Sequence, residues 1–285
     1  MTEPERIFDY TAIDTFQTCR RKFYWSMVKD IQLKHKSNTL LFGGAVHECL
    51  VTHYTEGNEA AIKRFGLEYK DVEGDDLRTV ANGEKLMRVY GEVYKHEPFT
   101  LSGKPEIGFV IPLSNCMYGG RIDLPIEWDG MWVMEHKHTA SLTPKYFRQF
   151  DLCKQVTGYI VGLEEYTGKK CTGCMVNVLQ PWKEVKRVTA KTKKPEDHYL
   201  RCPVTRSPEL KSRWKTNIER IVRDIKWCES NDEWYEAEKK EMCFYYNVDC
   251  PYKTLCQYGY DERIIKRDFI IAKWKPYEER RKEVK

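Results

Sequence analysis

The stretch Gly119-Gly-Arg-Ile-Asp123, followed twelve residues later by Glu135-His-Lys137, decides how the middle of this chain folds. It predicts two strands, Met117 to Trp128 and Met131 to Thr139. The Asp129-Gly130 pair between them is typical of a tight hairpin turn. Side chains two residues apart in a strand point to the same face, so we expect Glu135 and Lys137 to lie together. A neighbouring strand can then place Asp123 beside them.

Two carboxylates and one ammonium group would converge in this arrangement. Carboxylate oxygens are ligands that Mg²⁺ prefers, and a lysine beside the metal can help to hold and deprotonate an attacking water, as in metal-assisted phosphodiester hydrolysis. The alternative is a charged pair on the solvated face of a sheet, which contributes little to stability. The apolar run Met131-Trp-Val-Met134 favours the first interpretation, because charges that follow a buried strand tend to line a cleft.

Composition narrows the classes of protein that the chain can belong to. With 285 residues and 41% hydrophobic side chains, it can form one large domain or a domain with an appendage. No apolar run approaches the ~20 residues that cross a membrane, and the acidic N-terminus lacks the apolar core of a signal peptide. We therefore expect a cytoplasmic protein without membrane contact. Its eleven cysteines are then free thiols or metal ligands rather than disulfides.

The order of predicted elements gives the fold class. Helices come first: one that Asp14 caps and that runs to Val28, and one that starts near Gly43. A meander of strands, a helix from Tyr146 to Tyr166 and a further strand follow. This order predicts an α/β or α+β fold with a mixed central sheet. We expect a core in residues 1–230 and a cysteine-bearing, basic segment in residues 231–285.

Other polar side chains along the chain add to the candidate site. Gln155 and Tyr159 lie four residues apart on one face of a helix and can reach a metal site or a DNA strand, although an ordinary amphipathic helix gives the same pattern. His47 follows Gly43-Gly44, small residues that would let its helix pack closely on the sheet and bring the imidazole to the metal. Glu106 opens a strand and could supply a further carboxylate, although a solvated role at the strand edge is the expected one.

These motifs, in this order, resemble the RecB-like branch of the PD-(D/E)XK nucleases. The resemblance runs from about Asp14 to Cys256 and includes the opening segment Ile13 to Tyr24. It implies a restriction-endonuclease-like core in which His47, Asp123 and Glu135 bind Mg²⁺ or Mn²⁺. It also implies that Lys137 assists the nucleophilic water, and that Gln155 and Tyr159 form a further motif near the active centre and the DNA. His138 departs from the common Lys-Thr ending of the third motif.

The cysteines point to one part of that branch. A subset that includes AddB-type helicase-nucleases and certain CRISPR-adaptation nucleases holds a [4Fe–4S] cluster on one cysteine of the opening helix and three near the C-terminus. Here the resemblance implies Cys19, Cys243, Cys250 and Cys256, although Asn247 stands where the family has its middle ligand. Structural Zn²⁺ and buried free thiols are the alternatives. The remaining cysteines, including the pair Cys171 and Cys174, are expected to be free thiols.

Basic side chains suggest how DNA would be held. We expect two groups of basic residues to contact the phosphate backbone of DNA. Binding of this kind depends on the salt concentration and not on the base sequence. The residues are Arg20, Arg21, Lys22, Lys183, Lys186, Arg187, Lys191, Lys193 and Lys194. The sequence thus predicts a metal-dependent deoxyribonuclease, namely an exonuclease that acts on single-stranded DNA ends. We expect it to work with partners in recombination, repair or replication. We also expect a phage or another mobile element to encode it. The alternative is a catalytically inactive DNA-binding or adaptor protein with the same fold. Oligomeric state and polarity of digestion stay open.

Overall fold

The structure, a computed structural model, describes residues 6–73, 75–183, 192–245, 248–275 and 277–278. These residues fall into two compact units. The first unit takes its described residues from 1–36, 110–120 and 208–278, and the second takes them from 37–109 and 121–207. The predicted division at residue 230 stays a prediction.

The described helices and strands follow one another along the chain as expected of a mixed fold. The strands are β1 Ile7–Phe8, β2 Ile31–Leu33, β3 Thr100–Leu101, β4 Ile107–Leu113, β5 Cys116–Ile122, β6 Leu124–Glu127, β7 Met131–His138, β8 Cys171–Leu179, β9 Tyr199–Val204, β10 Phe244–Tyr245, β11 Val248–Asp249 and β12 Phe269–Ile271. The α-helices are α1 Tyr10–Thr18, α2 Arg20–Phe23, α3 Asn38–Glu56, α4 Asn58–Tyr69, α5 Val80–Val93, α6 Lys154–Thr167, α7 Pro208–Asn231, α8 Lys253–Tyr258 and α9 Glu262–Asp268.

The opening helix of the first unit differs from the predicted one. Its N-cap is Asp9, whose carboxylate accepts hydrogen bonds from the backbone N–H groups of Thr11 and Ala12. The prediction that Asp14 caps this helix is wrong, because Asp14 lies inside α1. The helix also stops at Thr18, and the extended backbone of Cys19 separates it from α2.

Three of the helices of the second unit form a packed layer. The aromatic rings of Phe42 on α3 and of Phe65 and Tyr69 on α4 meet with centroids 5.2 to 5.6 Å apart. Leu86 and Met87 of α5 complete a cluster without solvent exposure. Burial of these large side chains is the main favourable contribution to the stability of the layer.

The main sheet of the second unit has five strands in the order β3-β6-β7-β8-β9. Strands β7 and β8 are parallel, and the other neighbours are antiparallel. The sheet is therefore mixed, which confirms the predicted fold class. Residues 131–136 of β7 are all buried, as the apolar run predicts for a central strand.

The predicted strand Met117 to Trp128 is interrupted at Asp123. Strand β5 ends at Ile122 and belongs to a three-stranded sheet in the order β1-β5-β4, whereas β6 begins at Leu124 and pairs with β3 and β7. Asp123 lies at the switch between the two sheets. Its backbone carbonyl accepts a hydrogen bond from the N–H of Glu106, at 2.9 Å, so the polar backbone group at the break has a partner.

The chain that links β7 to β8 contains a second departure from prediction. A 3₁₀ helix covers Pro144–Phe150, and α6 starts only at Lys154, after the extended residue Cys153. Gln155 therefore lies in the first turn of α6, close to the end of β7. None of the described helices combines the length and the apolar character that crossing a bilayer would need.

Candidate active site

Asp123 and Glu135 meet because β6 and β7 pair in register. Leu124 pairs with Met134, so the preceding residue, Asp123, comes opposite Glu135. The backbone N–H of His136 donates a hydrogen bond of 2.8 Å to Oδ2 of Asp123. Both carboxylates are buried, with 9% of Asp123 and 2% of Glu135 exposed. Ionised carboxylates at this depth need partners, and the neighbouring side chains supply them.

Lys137 connects the strand to the helix that follows it. Its Nζ lies 2.5 Å from Oε1 of Glu135 and 3.1 Å from Oε1 of Gln155. The amide of Gln155 donates in turn to the hydroxyl of Tyr159, at 3.0 Å. The expected common face of Glu135 and Lys137 is confirmed, and the i, i+4 pair on α6 completes the chain of hydrogen bonds.

His47 brings an imidazole nitrogen to the same place. Its Nδ1 lies 3.5 Å from Oδ1 of Asp123 and 4.0 Å from Oε1 of Glu106. In the described part of the chain, His47, Glu106 and Asp123 form a group whose ligand atoms all lie within 4.8 Å of one another, close enough for one metal ion. Glu135 stands outside that group. We call His47, Glu106, Asp123, Glu135 and Lys137 the carboxylate site.

The charges of the carboxylate site shift one another strongly. Burial alone would raise the pKa of Asp123, but His47, His136 and Lys137 hold it well below its usual value. Burial raises the pKa of Glu135 to about 7, and the charge of Asp123 adds to the shift against the effect of Lys137. Burial would lower the pKa of Lys137, yet the carboxylates of Glu135 and Asp123 raise it. Asp123 is thus the carboxylate that stays ionised most readily.

Close packing of α3 on β7 brings His47 to the site. A Cβ atom on Gly43 would lie only 2.4 Å from Cε1 of His138, so a side chain at this position would collide with the ring. His47 follows one helical turn later on the same face of α3. The expected role of the small residues is confirmed at Gly43, and His138 is explained as the ring that fills the space the glycine leaves.

Glu106 is the residue that the sequence reasoning missed. We expected it to be solvated, but its side chain is 13% exposed, pairs with Arg121 and faces His47. A signal for it was available. The two-residue turn Ser114-Asn115 joins β4 to β5, and counting back along both strands pairs Glu106 with Asp123. Hairpin counting would therefore have placed the third carboxylate.

A glutamate oxygen inside the site lacks a partner. Among the described residues, Oε2 of Glu135 is buried and makes no hydrogen bond. An orphaned, buried carboxylate oxygen is costly in a protein interior, and a cation would satisfy it. The donor set of two carboxylates and one imidazole, with the carboxylate of Glu135 next to it, suits a hard divalent cation. The residues present therefore fit a Mg²⁺ or Mn²⁺ ion.

The four cysteines predicted to hold a cluster line one cavity of the first unit. This cysteine cavity has a volume of about 340 Å³ and is lined by Cys19, Cys243, Cys250 and Cys256, with Lys22 and Tyr252 beside them. Burial raises the pKa of Cys256 to about 11, and the nearby Cys19 and Cys250 add to the shift. No disulfide bond joins any of the eleven cysteines, all of which lie in the described part of the chain.

The predicted DNA-binding residues have varied surroundings. The guanidinium of Arg20 lies 5.2 Å from the ring centre of Phe16, and that of Arg21 lies 4.8 Å from the ring of Trp25.

In the second group of basic residues, the ammonium of Lys183 lies 2.8 Å from a carboxylate oxygen of Asp76, and that of Lys194 lies 3.9 Å from one of Glu196. Two hydrogen bonds hold the ammonium of Lys193 to Leu142 and Gln180, and Lys22 faces the cysteine cavity. Lys186, Arg187 and Lys191 lie outside the described residues. Their role in binding DNA stays a prediction.

Two solved structures were compared with this one. The first, from Eubacterium rectale and provisionally named an exonuclease, has a TM-score of 0.52 and 12% sequence identity over 89% of this chain and 93% of its own. That likeness supports the fold. The second, SSO0001, has a TM-score of 0.32 and 13% identity over 65% of this chain and 84% of its own. A comparison with curated protein sequences found no match.

A family model extends the likeness to nearly the whole sequence. The model of the PD-(D/E)XK nuclease superfamily matches residues 8–257, a span that contains both the carboxylate site and the cysteine cavity. The mixed sheet, with the Glu-x-Lys pair on one strand and Asp123 brought beside it by the neighbouring strand, is the arrangement that the sequence motifs predicted. By that match and that fold, this chain belongs to the PD-(D/E)XK nuclease superfamily.

Proposed function

We propose that this protein is a Mg²⁺- or Mn²⁺-dependent deoxyribonuclease of the RecB-like branch that digests DNA from single-stranded ends. The observation that supports it most is the carboxylate site itself. Asp123 and Glu135 face one another on paired strands, Lys137 is held beside them, and a buried oxygen of Glu135 has no hydrogen-bond partner among the described residues. A surface ion pair would not be buried in this way.

Each side chain has a distinct task in this proposal. Asp123, His47 and Glu106, joined by Glu135, would hold the ion, which when bound acidifies a water molecule and neutralises charge on the scissile phosphate. Gln155 and Glu135 fix the Lys137 ammonium on two sides. The ammonium group of Lys137, fixed at this point, orients the attacking water and stabilises the charge that builds up on the phosphate. Tyr159 fixes Gln155 in turn.

A nuclease assay tests the catalytic part of the proposal. Labelled single-stranded, double-stranded and circular DNA are incubated with Mn²⁺, Mg²⁺ or a chelator. We expect metal-dependent release of nucleotides from linear single strands, and none from circles. Glu135→Gln should abolish cleavage. The matched control is Glu127→Gln, which changes a carboxylate of the neighbouring strand β6 outside the site and should cleave normally.

Other outcomes of that assay have clear meanings. DNA binding without cleavage under every metal would replace the enzyme by the inactive DNA-binding alternative. Cleavage of circles would make it an endonuclease. Cleavage that survives Glu135→Gln would contradict the assigned site.

The cysteine cavity would hold a [4Fe–4S] cluster in the same proposal. Cys19 from the start of the chain and three cysteines from residues 243–256 line one cavity, which supports a shared ligand. A single Zn²⁺ ion holds its thiolates roughly 3.8 Å apart, from a zinc–sulfur distance of about 2.3 Å. Among the described residues, no three of these thiols lie within 4.8 Å of one another. A cluster of several atoms spans more widely separated thiolates than one Zn²⁺ ion does, and it is the ligand that the resemblance implies. Such a ligand would join Cys19 to the C-terminal segment and stabilise the first unit.

Purification without oxygen tests the cluster. We expect a brown protein with an absorption band at about 400 nm from thiolate–iron charge transfer, and about four iron atoms per chain. Cys19→Ser should lose the colour, whereas Cys202→Ser, a matched change in the second unit, should keep it. Stoichiometric zinc in a colourless protein, or a metal-free protein, would reject the cluster. Eleven cysteines with no disulfide bond among them also support a reducing cytoplasm as the location.

A further inference from the structure

A row of polar side chains crosses three strands on the face of the sheet opposite Lys137. His136 of β7 pairs in register with Asn177 of β8, and Asn177 pairs with Arg201 of β9. His136 and Asn177 are 3% and 0% exposed. A buried polar side chain is costly unless it is fully hydrogen-bonded, so such a row needs a reason.

The hydrogen bonds of Asn177 fix the direction of the row. Nε of Arg201 lies 3.2 Å from Oδ1 of Asn177, and because a guanidinium can only donate, this atom must be the amide oxygen. The amide nitrogen then faces the other way. It donates to Nδ1 of His136 at 2.9 Å and to the hydroxyl of Tyr90 at 3.1 Å. His136 therefore accepts on Nδ1 and carries its proton on Nε2.

At the far end of the row, the negative charge of Glu97 holds Arg201 in place. Arg201 makes two hydrogen bonds to Glu97, of 2.5 and 2.7 Å, and two more to the hydroxyls of Tyr54 and Tyr90, of 3.2 and 3.0 Å. The ring of Tyr54 also stacks on that of His136, with the planes 9° apart and the centroids 6.1 Å apart. Bidentate pairing of this kind holds a guanidinium in one orientation.

The near end of the row leads to the carboxylate site. The backbone N–H of His136 donates to Oδ2 of Asp123 at 2.8 Å, which leaves Oδ1 facing His47 at 3.5 Å. The side chain of His136 is thus fixed by Asn177 while its backbone fixes the carboxylate. We propose that the row His136-Asn177-Arg201 positions Asp123 for metal binding, with Asn177 as the key positioning residue. This inference rests on the proposed metal role of Asp123.

The physical reason is preorganisation. A carboxylate that can turn must lose that freedom when it binds a cation, and the bond from the His136 backbone removes it in advance. Networks of buried hydrogen bonds have few alternative arrangements, so the row gives the strand segment one geometry. Groups that orient metal ligands from behind typically change affinity or activity by about 10- to 100-fold when they are removed.

Manganese binding to the whole purified protein tests the proposal independently of cleavage. The dissociation constant of Mn²⁺ is measured by electron paramagnetic resonance, and thermal stability by calorimetry, for Asn177→Ala, Tyr90→Phe and Tyr199→Phe. We expect Asn177→Ala to bind Mn²⁺ about tenfold more weakly, with KM for DNA unchanged when the metal is saturating. Tyr90→Phe should lose less affinity, in the same direction.

Tyr199→Phe is the matched control. Its hydroxyl is also buried on this face but donates to the carbonyl of Leu86 on α5, outside the row. It should cost stability and leave Mn²⁺ affinity unchanged. The proposal is overturned if Tyr90→Phe loses stability but binds Mn²⁺ like the wild type, and Asn177→Ala, provided that it folds, does the same. The row would then have a purely structural role.

A further variant separates this inference from the proposed function. Asp123→Asn should remove Mn²⁺ binding altogether. If it binds the ion as the wild type does, or if the wild type binds none, the metal role of Asp123 itself fails. If Asp123→Asn loses binding and the Asn177 and Tyr90 variants do not, only the positioning role fails.

Discussion

The carboxylate site and the cysteine cavity are held together in different ways. Asp123 of the carboxylate site accepts hydrogen bonds from the backbone of two separate strand segments, and Glu135 and Lys137 form an ion pair. Burial raises the pKa of Cys243 and Cys256 in the cysteine cavity, and the nearby Cys19 and Cys250 add to both shifts. The side chains of the carboxylate site are held in place without a bound metal. The thiolates of the cysteine cavity would need a bound metal to stabilise their negative charge.

That difference predicts different consequences of mutation. Changes at the carboxylate site should affect chemistry and leave the fold intact, because backbone hydrogen bonds hold its strands. Changes at the cysteine cavity should affect stability first, since its ligands would join parts of the chain that are far apart in sequence. Activity and unfolding, measured on the same variants, separate the two.

Replacing Lys137 should give the largest effect. Lys137→Met keeps the length of the side chain but removes the ammonium, and we expect cleavage to fall by about 10²- to 10³-fold while the unfolding temperature changes little. Single-turnover cleavage and calorimetry measure both quantities. Lys145→Met, at an exposed position of the 3₁₀ helix, is the control and should cleave normally. Equal losses in both variants would show a general charge effect.

Removing a cavity ligand should act on stability. We expect Cys256→Ser to lose the bound metal and to reduce the free energy of unfolding by about 3 kcal/mol. In this variant, cleavage per folded molecule should be close to that of the wild type. Calorimetry, metal analysis and active-site titration measure the three quantities. An unchanged unfolding temperature in a protein that has lost its metal would refute the structural role.

Local patterns in the sequence were enough for the centre of the carboxylate site. Strand alternation gave the common face of Glu135 and Lys137, and the apolar run before them indicated the burial of Glu135. Helical spacing gave the pair Gln155 and Tyr159. These features depend on neighbours within four residues, which the sequence displays directly.

Features that depend on strand pairing were not visible in those patterns. The break at Asp123 is a switch between two sheets, but the sequence from Met117 to Trp128 has the pattern of a single strand. Glu106 joins the site through the register of a hairpin, and the pairing of His136 with Asn177 depends on a parallel strand about forty residues away. Parallel register follows from tertiary packing, so no local pattern predicts it.

Proton linkage should distinguish the two sites by a smaller effect. The pKa of Glu135 is raised to about 7, so below that pH a cation must displace its proton, and the affinity for Mn²⁺ should weaken about tenfold for each pH unit. His47, whose pKa is raised by Asp123 against the effect of burial, adds to this slope. At pH values above the pKa of both groups the affinity should level off.

The cysteine cavity should behave differently in the same titration. The pKa of Cys256 is about 11, so thiol protons must still be displaced at pH 8 and the affinity of its metal should keep rising. Competition with a chelator between pH 6 and 9 measures both slopes. In Glu135→Gln, Mn²⁺ binding at the carboxylate site should release one proton fewer, and the pH dependence at the cysteine cavity should stay the same. If the two sites of the wild type show the same pH dependence of metal affinity, the assigned pKa shifts are contradicted.

The smallest effect concerns the contact between α3 and β7 that brings His47 to the site. Gly43→Ala places a methyl group 2.4 Å from the ring of His138, and we expect it to cost about 1 to 3 kcal/mol of stability and to weaken Mn²⁺ binding through His47. Gly44→Ala is the control. Nothing lies within 4 Å of its new methyl group, so it should stabilise the helix by up to about 1 kcal/mol.

A double-mutant cycle shows whether His138 is the cause of that cost. If the ring causes the collision, His138→Ala should relieve it, and the double variant with Gly43→Ala should be more stable than the two single changes predict, by about 1 kcal/mol. Urea unfolding measures the coupling. Mn²⁺ affinity should recover together with stability, because His47 is placed by the same contact. Additive effects would mean that Gly43 acts through helix propensity alone, and that the position of His47 does not depend on how closely α3 approaches β7.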